Sequence, residues 1–193
     1  MLVLLVTVTS FALRPQLMRS PWWRLAVLFF TAAQARGPLR EIGWGLFGGI
    51  TFGAHEFGHL VFALFGNEFL TVAGGSLMQL LIPIGAGALM WRARDGVGIA
   101  ITGLWLAAAL GDLSWYVGDA RALELPLVSM GGEGDDHDWN YLLRTFDLLR
   151  SDLVIATQLR RIGNLIWFGS LVGGFVACWR LWQARRLAAA PSR

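Results

Sequence analysis

The sequence predicts an all-helical transmembrane bundle that forms one integral membrane domain over residues 1–193. Its composition is 55% hydrophobic and 15% charged, which suits a polytopic membrane protein better than a soluble domain. Four stretches approach the roughly 20 apolar residues that a helix needs to cross a bilayer. These predicted spans are residues 42–65, 69–91, 96–117 and 163–182.

Two weaker apolar stretches precede these four, so the number of spans could reach five or six. Residues 22–35 form a shorter candidate that contains Arg24. Residues 1–13 are apolar but too short to span by themselves. They have neither a basic leading region nor a small-residue cleavage site, so we do not predict a cleaved signal peptide.

The basic residues give the bundle its predicted orientation. All sixteen are arginines. With alternating crossings, the arginines at the span ends fall on one face, which the positive-inside rule makes cytoplasmic. They are Arg36, Arg40, Arg92, Arg94, Arg180, Arg185 and Arg186. Because they lie at span ends and are not gathered on one soluble face, they suit anionic lipid headgroups and argue against a nucleic-acid partner.

The connection between the last two strong spans, residues 118–162, is predicted to lie outside the membrane. Its residues 130–138 are acidic and rich in glycine, which predicts a flexible loop. Over residues 139–149 apolar side chains recur at helical spacing, which predicts an amphipathic helix at the membrane interface. Ser151 followed by Asp152 then predicts an N-cap that begins a long final helix.

A motif for metal-dependent chemistry lies in the first strong span. Residues 55–59 read His-Glu-Phe-Gly-His, an HExxH pattern in an apolar, glycine-rich stretch. Residues four apart share a face of a helix, so His55 and His59 can offer two imidazole nitrogens to one divalent metal ion. Glu56 lies beside them, where its carboxylate could take a proton from water bound to that metal. Ionisable groups inside a bilayer are costly, about 2.5–3.5 kcal/mol for a central Asp, so their presence indicates a functional site.

A catalytic zinc ion usually takes three protein ligands, and the sequence offers three candidates for the third. Asp112 is the leading candidate, because it lies at nearly the same depth as His59 below the outer face. Asp119 lies on the same helical stripe, nearer to the surface. His137 could reach the site if its loop folds back, with Asp138 orienting its imidazole.

Small residues interrupt the second strong span at residues 73–76, which read Ala-Gly-Gly-Ser. Such residues allow a close approach to the backbone, and they could hold an extended substrate by main-chain hydrogen bonds. Close packing of neighbouring transmembrane helices also uses small residues and needs no substrate. Of the two interpretations we favour helix packing.

With HExxH in one membrane helix and an acid in a later one, the chain resembles the intramembrane zinc metallopeptidases of the site-2 protease class. More closely, it resembles small bacterial membrane proteins related to that class. The resemblance runs through most of the chain, at residues 55–59, 65–70, 73–83, 116–122 and 137–139. The better-known members carry an Asn-Pro-rich motif with a ligand aspartate followed by glycine. This sequence has no such run, so the resemblance assigns no third ligand.

The resemblance implies a bound zinc ion, Glu56 as general base and a location in the bacterial inner membrane. We therefore expect a zinc-dependent hydrolase that cleaves a peptide bond of a membrane protein. Its partners would be the lipid bilayer and a transmembrane or membrane-proximal peptide substrate. Two other functions fit the sequence: a non-catalytic metal- or partner-binding protein that retains the HExxH site, and an ion or proton pathway through Asp112, Asp119 and His137.

Overall fold

The computed structural model describes residues 20–35, 47–125 and 137–189. Within these ranges the chain is helical and contains no strand, which confirms that the fold is all-helical. The helices are α1 (Pro21–Gln34), α2 (Gly48–Ala63), α3 (Glu68–Arg92), α4 (Gly96–Gly118), α5 (Asp138–Thr145) and α6 (Asp152–Ala188). A short 3₁₀ helix, Leu149–Ser151, directly precedes α6. The predicted apolar segment 1–13 and most of the glycine-rich segment 130–138 lie outside the described residues.

Three helices in the described part of the chain are long and apolar enough to cross a membrane, namely α3, α4, and α6 together with its 3₁₀ turn. Helices α3 and α4 have 25 and 23 residues, and this finding agrees with an integral membrane protein. By contrast, α2 has 16 residues and α1 has 14. The predicted spans 42–65 and 22–35 are therefore not confirmed, and residues 36–46 lie outside the described ranges.

Short turns with capping side chains join the helices around α3. Gly66 has a positive φ of 64° in the turn after α2, a conformation that glycine adopts without steric cost. The Asn67 side chain then accepts a hydrogen bond from a backbone N–H of the first turn of α3, at 3.0 Å. After α3, the Asp95 carboxylate accepts from two backbone N–H groups at the start of α4. Such caps satisfy N–H groups that have no partner within the helix.

Helix α2 packs along α3 through glycines. Its buried residues, Thr51, Ala54 and Gly58, form one stripe at helical spacing. A Cβ atom at Gly58 would collide with the carbonyl oxygen of Gly74 on α3, so the two backbones are in contact. Helix α3 runs through residues 73–76 without a break. The small residues there allow close helix packing, which is the interpretation that we favoured from the sequence.

Helix α6 packs along α4, and α1 packs against both. Buried apolar residues form one cluster beside the first half of α4 and another beside its second half. The first holds Leu28, Ala32, Ala35, Phe47, Ala100, Leu104 and Ala108. The second holds Leu113, Val117, Ala120, Leu143 and Ala156. Because Leu143 belongs to α5, the second cluster holds this short helix against the bundle.

Helix α5 is the amphipathic helix that the sequence predicts over residues 139–149, but it is shorter. It ends just before a turn in which Asp147 has a positive φ of 54°. The indole N–H of Trp139 donates to the hydroxyl of Ser76 on α3 at 3.0 Å. This hydrogen bond and the buried side chain of Leu143 fasten α5 to the ends of the long helices.

The final helix extends beyond the predicted span 163–182. Its 37 residues measure about 55 Å at a rise of 1.5 Å each, against a hydrocarbon core of roughly 30 Å. It begins at Asp152, as predicted, although the Ser151 side chain makes no capping hydrogen bond. The buried carboxylate of Asp152 instead lies 3.3 Å from Nε of Arg121. This ion pair ties the start of α6 to the turn after α4.

The contact between α2 and α3 predicts a position-specific effect of alanine. Gly58→Ala should lower the free energy of unfolding by about 1–3 kcal/mol, the usual cost of overpacking. Gly53→Ala on the same helix is the control, because no described atom lies within 4 Å of a Cβ there. Alanine favours a helix over glycine, so the control should be at least as stable as the original. Thermal unfolding in detergent, followed by circular dichroism, measures both, and equal stability would contradict the contact.

Candidate metal centre

The HExxH motif lies on α2, and its two imidazoles meet the first residue of α5. The rings of His55 and His59 have centroids 4.8 Å apart. Nε2 of His55 lies 3.0 Å from Oδ2 of Asp138, and Nε2 of His59 lies 3.3 Å from the same oxygen. Among the described residues, these three side chains form the group that could hold a metal ion. The two imidazoles therefore converge as the helical spacing predicts.

The hydrogen-bond acceptor beside Nδ1 of each ring determines which nitrogen carries the proton. The Nδ1–H of His59 donates to the carbonyl oxygen of Thr71 at 2.9 Å, since a carbonyl can only accept. Nδ1 of His55 lies 3.0 Å from Oε1 of Gln79, whose amide nitrogen donates to the carbonyl oxygen of Ala109. Gln79 in this orientation accepts from His55. In each neutral ring the proton is therefore on Nδ1, and Nε2 offers a lone pair.

Three electron-rich atoms thus converge at this point. Burial opposes the ionisation of Asp138, but when His55 and His59 carry a second proton their Nε2–H groups donate to its carboxylate, and these hydrogen bonds outweigh burial and hold the pKa of the carboxyl below its usual range. Two lone pairs and a carboxylate oxygen at 3.0 and 3.3 Å repel one another unless a positive charge lies among them. Either an additional proton on an imidazole or a metal cation provides that charge.

The two imidazoles lie close to a glycine of α3. A Cβ atom at Gly75 of α3 would lie 2.5 Å from Nε2 of His59 and 2.7 Å from Nε2 of His55. A Cβ atom at this position would therefore collide with both imidazoles. Because residue 75 is a buried glycine, the two rings can lie where its side chain would otherwise be.

The donor set fits a zinc ion. Imidazole nitrogens and carboxylate oxygens are common zinc ligands, and a tetrahedral ion with ligands at about 2.0–2.1 Å keeps them about 3.3–3.4 Å apart. The observed distances from Oδ2 of Asp138 to the two Nε2 atoms are 3.0 and 3.3 Å. Histidines that bind metals also donate their second N–H to a carbonyl or a similar acceptor. Both His55 and His59 have such an acceptor.

Several neighbours hold Asp138 in place at the start of α5. The hydroxyl of Tyr116 accepts a hydrogen bond from the backbone N–H of Asp138 at 3.1 Å. Nδ1 of His137 accepts from the backbone N–H of Asn140 and so caps the helix. The side-chain amide of Asn140 donates to the carbonyl oxygen of Ala120 at 2.6 Å. The contacts with Tyr116 and Ala120 join α5 to the end of α4.

The third member of the donor group is Asp138. The group contains none of the candidates that the sequence proposed as third ligand, which were Asp112, Asp119 and His137. Asp119 accepts hydrogen bonds from two backbone N–H groups in the turn after α4. His137 is 2% exposed, and its Nε2 lies 3.5 Å from Oδ2 of Asp119. Burial lowers the pKa of His137, and Asp119 opposes this effect. Asp112 lies on α4 four residues before Tyr116, outside the donor group.

Glu56, the predicted general base, lies on α2 next to His55 and is partly buried. Its charge acts on the side chains of His59 and Tyr116. The carboxylate therefore belongs to the electrostatic surroundings of the donor group. This position suits a group that exchanges protons with a molecule bound there.

Sequence reasoning assigned Asp138 a supporting role and gave no role at the metal to Thr71, Gly75 or Gln79. Thr71 contributes a main-chain carbonyl, for which the sequence carries no signal by residue type. A spacing signal does exist, because residues 71, 75 and 79 recur every four positions and so share one face of a helix. Asp138 also had a signal: it is an acid at the start of a predicted helix, where carboxylates are favourable.

The close contact of both imidazoles with Gly75 predicts a specific effect on metal binding. Gly75→Ala should weaken zinc binding about 10–100-fold, the range typical of disturbed surroundings of metal ligands, because the added Cβ displaces both imidazoles. Gly85→Ala on the same helix is the control, since no described atom lies within 4 Å of a Cβ there. Competition with a chromophoric chelator measures both affinities. Equal affinities in the two variants would contradict this role of Gly75.

Comparisons with protein-family models, with curated protein sequences and with solved structures each gave no match. The resemblance to the site-2 protease class therefore stays a prediction from the sequence. The function has to be inferred from the residues of the site and their geometry.

Proposed function

We propose that this protein is an intramembrane zinc metallopeptidase that hydrolyses a peptide bond of a membrane protein. The observation that carries the proposal is the convergence of His55, His59 and Asp138 beside the HExxH glutamate, Glu56. Three donor atoms within 4.8 Å of one another, on two separate helices, form an arrangement that a divalent cation would stabilise. Without a bound cation or an additional proton, the convergence of these three donor atoms would not stabilise the helix bundle.

In this proposal, His55, His59 and Asp138 hold the zinc ion, and each has its own support. Gln79 and the carbonyl of Thr71 keep the imidazoles in the tautomer that binds a metal. A zinc ion bound in such a site acidifies water and polarises a carbonyl group. The residues of the chain then position the reactants and move the proton.

Glu56 is the residue that moves the proton. It accepts a proton from the attacking water and later delivers it to the nitrogen of the leaving amine. A carboxylate can carry out both steps because it is restored to its ionised form at the end of the cycle. It is partly buried and directly follows His55 on α2.

The number of protein donors favours catalysis over a structural role. Structural zinc sites are usually closed by four protein ligands, while catalytic sites use three and keep a position for water. Within the described part of the chain, the group consists of three residues, His55, His59 and Asp138. The non-catalytic alternative would require a fourth protein ligand or a site without turnover.

The location of the site supports a substrate in or near the membrane. Tyr116, which contacts Asp138, lies two residues before the end of α4, so about 3 Å from the end of this spanning helix at 1.5 Å per residue. Helix α2 exposes large apolar side chains at Phe57 and Leu60, and Leu64, directly after the helix, is exposed as well. Such a surface fits a lipid or an apolar peptide segment better than water. The substrate is therefore proposed to be a membrane protein.

The central test of this function is Glu56→Gln. We expect cleavage to fall about 10²–10⁴-fold or more, because the amide cannot take a proton from water, while zinc stays bound. Glu68→Gln is the matched control, since Glu68 is exposed at the start of α3. Mass spectrometry of new N-termini in membranes that contain each variant measures cleavage, and elemental analysis measures zinc.

Undiminished cleavage at the same positions in Glu56→Gln would contradict the mechanism. If the unaltered protein retains zinc and yields no new N-termini, the non-catalytic alternative is supported instead. Loss of zinc in Glu56→Gln would mean that Glu56 belongs to the metal site itself.

A further inference from the structure

Tyr116 joins the two parts of the candidate site. Its hydroxyl accepts a hydrogen bond from the backbone N–H of Asp138 at 3.1 Å. Its ring meets that of His55 edge to face, with centroids 5.8 Å apart and an interplanar angle of 70°. The same ring lies 4.2 Å from the ring of His137. One side chain of the spanning helix α4 thus contacts a histidine of α2 and the first residue of α5.

The hydrogen bond satisfies a group that α5 cannot satisfy itself. The first N–H groups of a helix have no partner within the helix. Nδ1 of His137 takes one of them, that of Asn140. The hydroxyl of Tyr116 takes that of Asp138. The backbone of Asp138 is therefore held by a side chain from outside α5.

Asp138 needs such a contact because α5 is not a spanning helix. It has eight residues, and helices of this length are marginal in isolation. Its other polar contacts with the long helices come from side chains: Trp139 donates to Ser76 of α3, and Asn140 donates to the carbonyl of Ala120 after α4. Tyr116 is therefore the side chain outside α5 that holds the backbone N–H of Asp138 itself.

We propose that Tyr116 is a positioning residue whose hydroxyl holds the backbone of Asp138 so that the carboxylate meets the Nε2 atoms of His55 and His59. The proposal rests on the proposed function, since the three atoms would share a divalent cation. Tyr116 acts through Asp138 and is not itself a metal ligand. Its role is to join the extramembrane third donor to the pair on α2.

Cobalt(II) binding to the full chain in detergent tests the proposal, because the visible spectrum of cobalt depends on the identity and geometry of its ligands. Tyr116→Phe keeps the ring against His55 and His137 and removes the hydroxyl. We expect the cobalt affinity to fall about 10–100-fold, as for other groups that support metal ligands, and the spectrum at saturation to change. Wild-type affinity and an unchanged spectrum in this variant would overturn the proposal.

Tyr141→Phe is the matched control. It removes the hydroxyl of the other tyrosine of the chain, which lies on α5 itself. This variant should bind cobalt with wild-type affinity and give the wild-type spectrum. An equal loss of affinity in both variants would overturn the specific role of Tyr116.

A second measurement needs no metal. Hydrogen exchange of the Asp138 amide in the metal-free protein should become about tenfold faster in Tyr116→Phe, the effect of losing one hydrogen bond, and should not change in Tyr141→Phe. Unchanged exchange in Tyr116→Phe would overturn the proposal. If the unaltered protein takes up no cobalt, the proposed function fails, and this measurement still decides whether Tyr116 holds Asp138.

Discussion

The contact of the Asp138 carboxylate with the two HExxH imidazoles is the constraint around which the described structure is arranged. The side chains of His55 and Asp138 are each only 12% exposed. A carboxylate in such a place requires hydrogen bonds or a compensating charge. It finds them on α2, although 83 residues separate His55 from Asp138 along the chain. The short helix α5 is therefore bound to the membrane bundle through the same atoms that would bind a metal.

Helix α3 makes this contact possible. Residues 71, 75 and 79 lie on one face, and they provide a carbonyl for His59, a position without a side chain against which both imidazoles pack, and an amide oxygen for His55. The backbone contact between Gly58 and Gly74 brings this face close to α2. A larger residue at either glycine would separate the imidazoles from their supports. The packing of the two helices and the chemistry of the site are thus one arrangement.

Local patterns in the sequence predicted the local parts of this structure. The apolar runs 69–91 and 96–117 became α3 and α4 with ends that differ by at most one residue, because a long apolar run bounded by capping residues has few other solutions in a membrane. The spacing of His55 and His59 was sufficient to predict that their imidazoles converge. Helix α2 is shorter than its predicted span, since apolar composition does not by itself define where a helix begins.

The third donor could not be predicted in the same way. The choice of Asp112 assumed that the third ligand lies on a spanning helix at the depth of the histidines. In the structure, Asp138 of the short helix α5 meets the histidine pair, and Tyr116 is the α4 side chain that contacts His55. This position of α5 depends on tertiary contacts such as that of Trp139 with Ser76. No spacing between neighbouring residues encodes them.

Zinc K-edge X-ray absorption of the purified protein tests the central claim most directly, because imidazole scattering can be counted. We expect bound zinc with two imidazoles and further oxygen ligands, and loss of one oxygen ligand or of the metal in Asp138→Ala. A third imidazole in the zinc shell would contradict the claim, because His137 would then be the third ligand. Purified protein that binds no zinc would contradict it altogether.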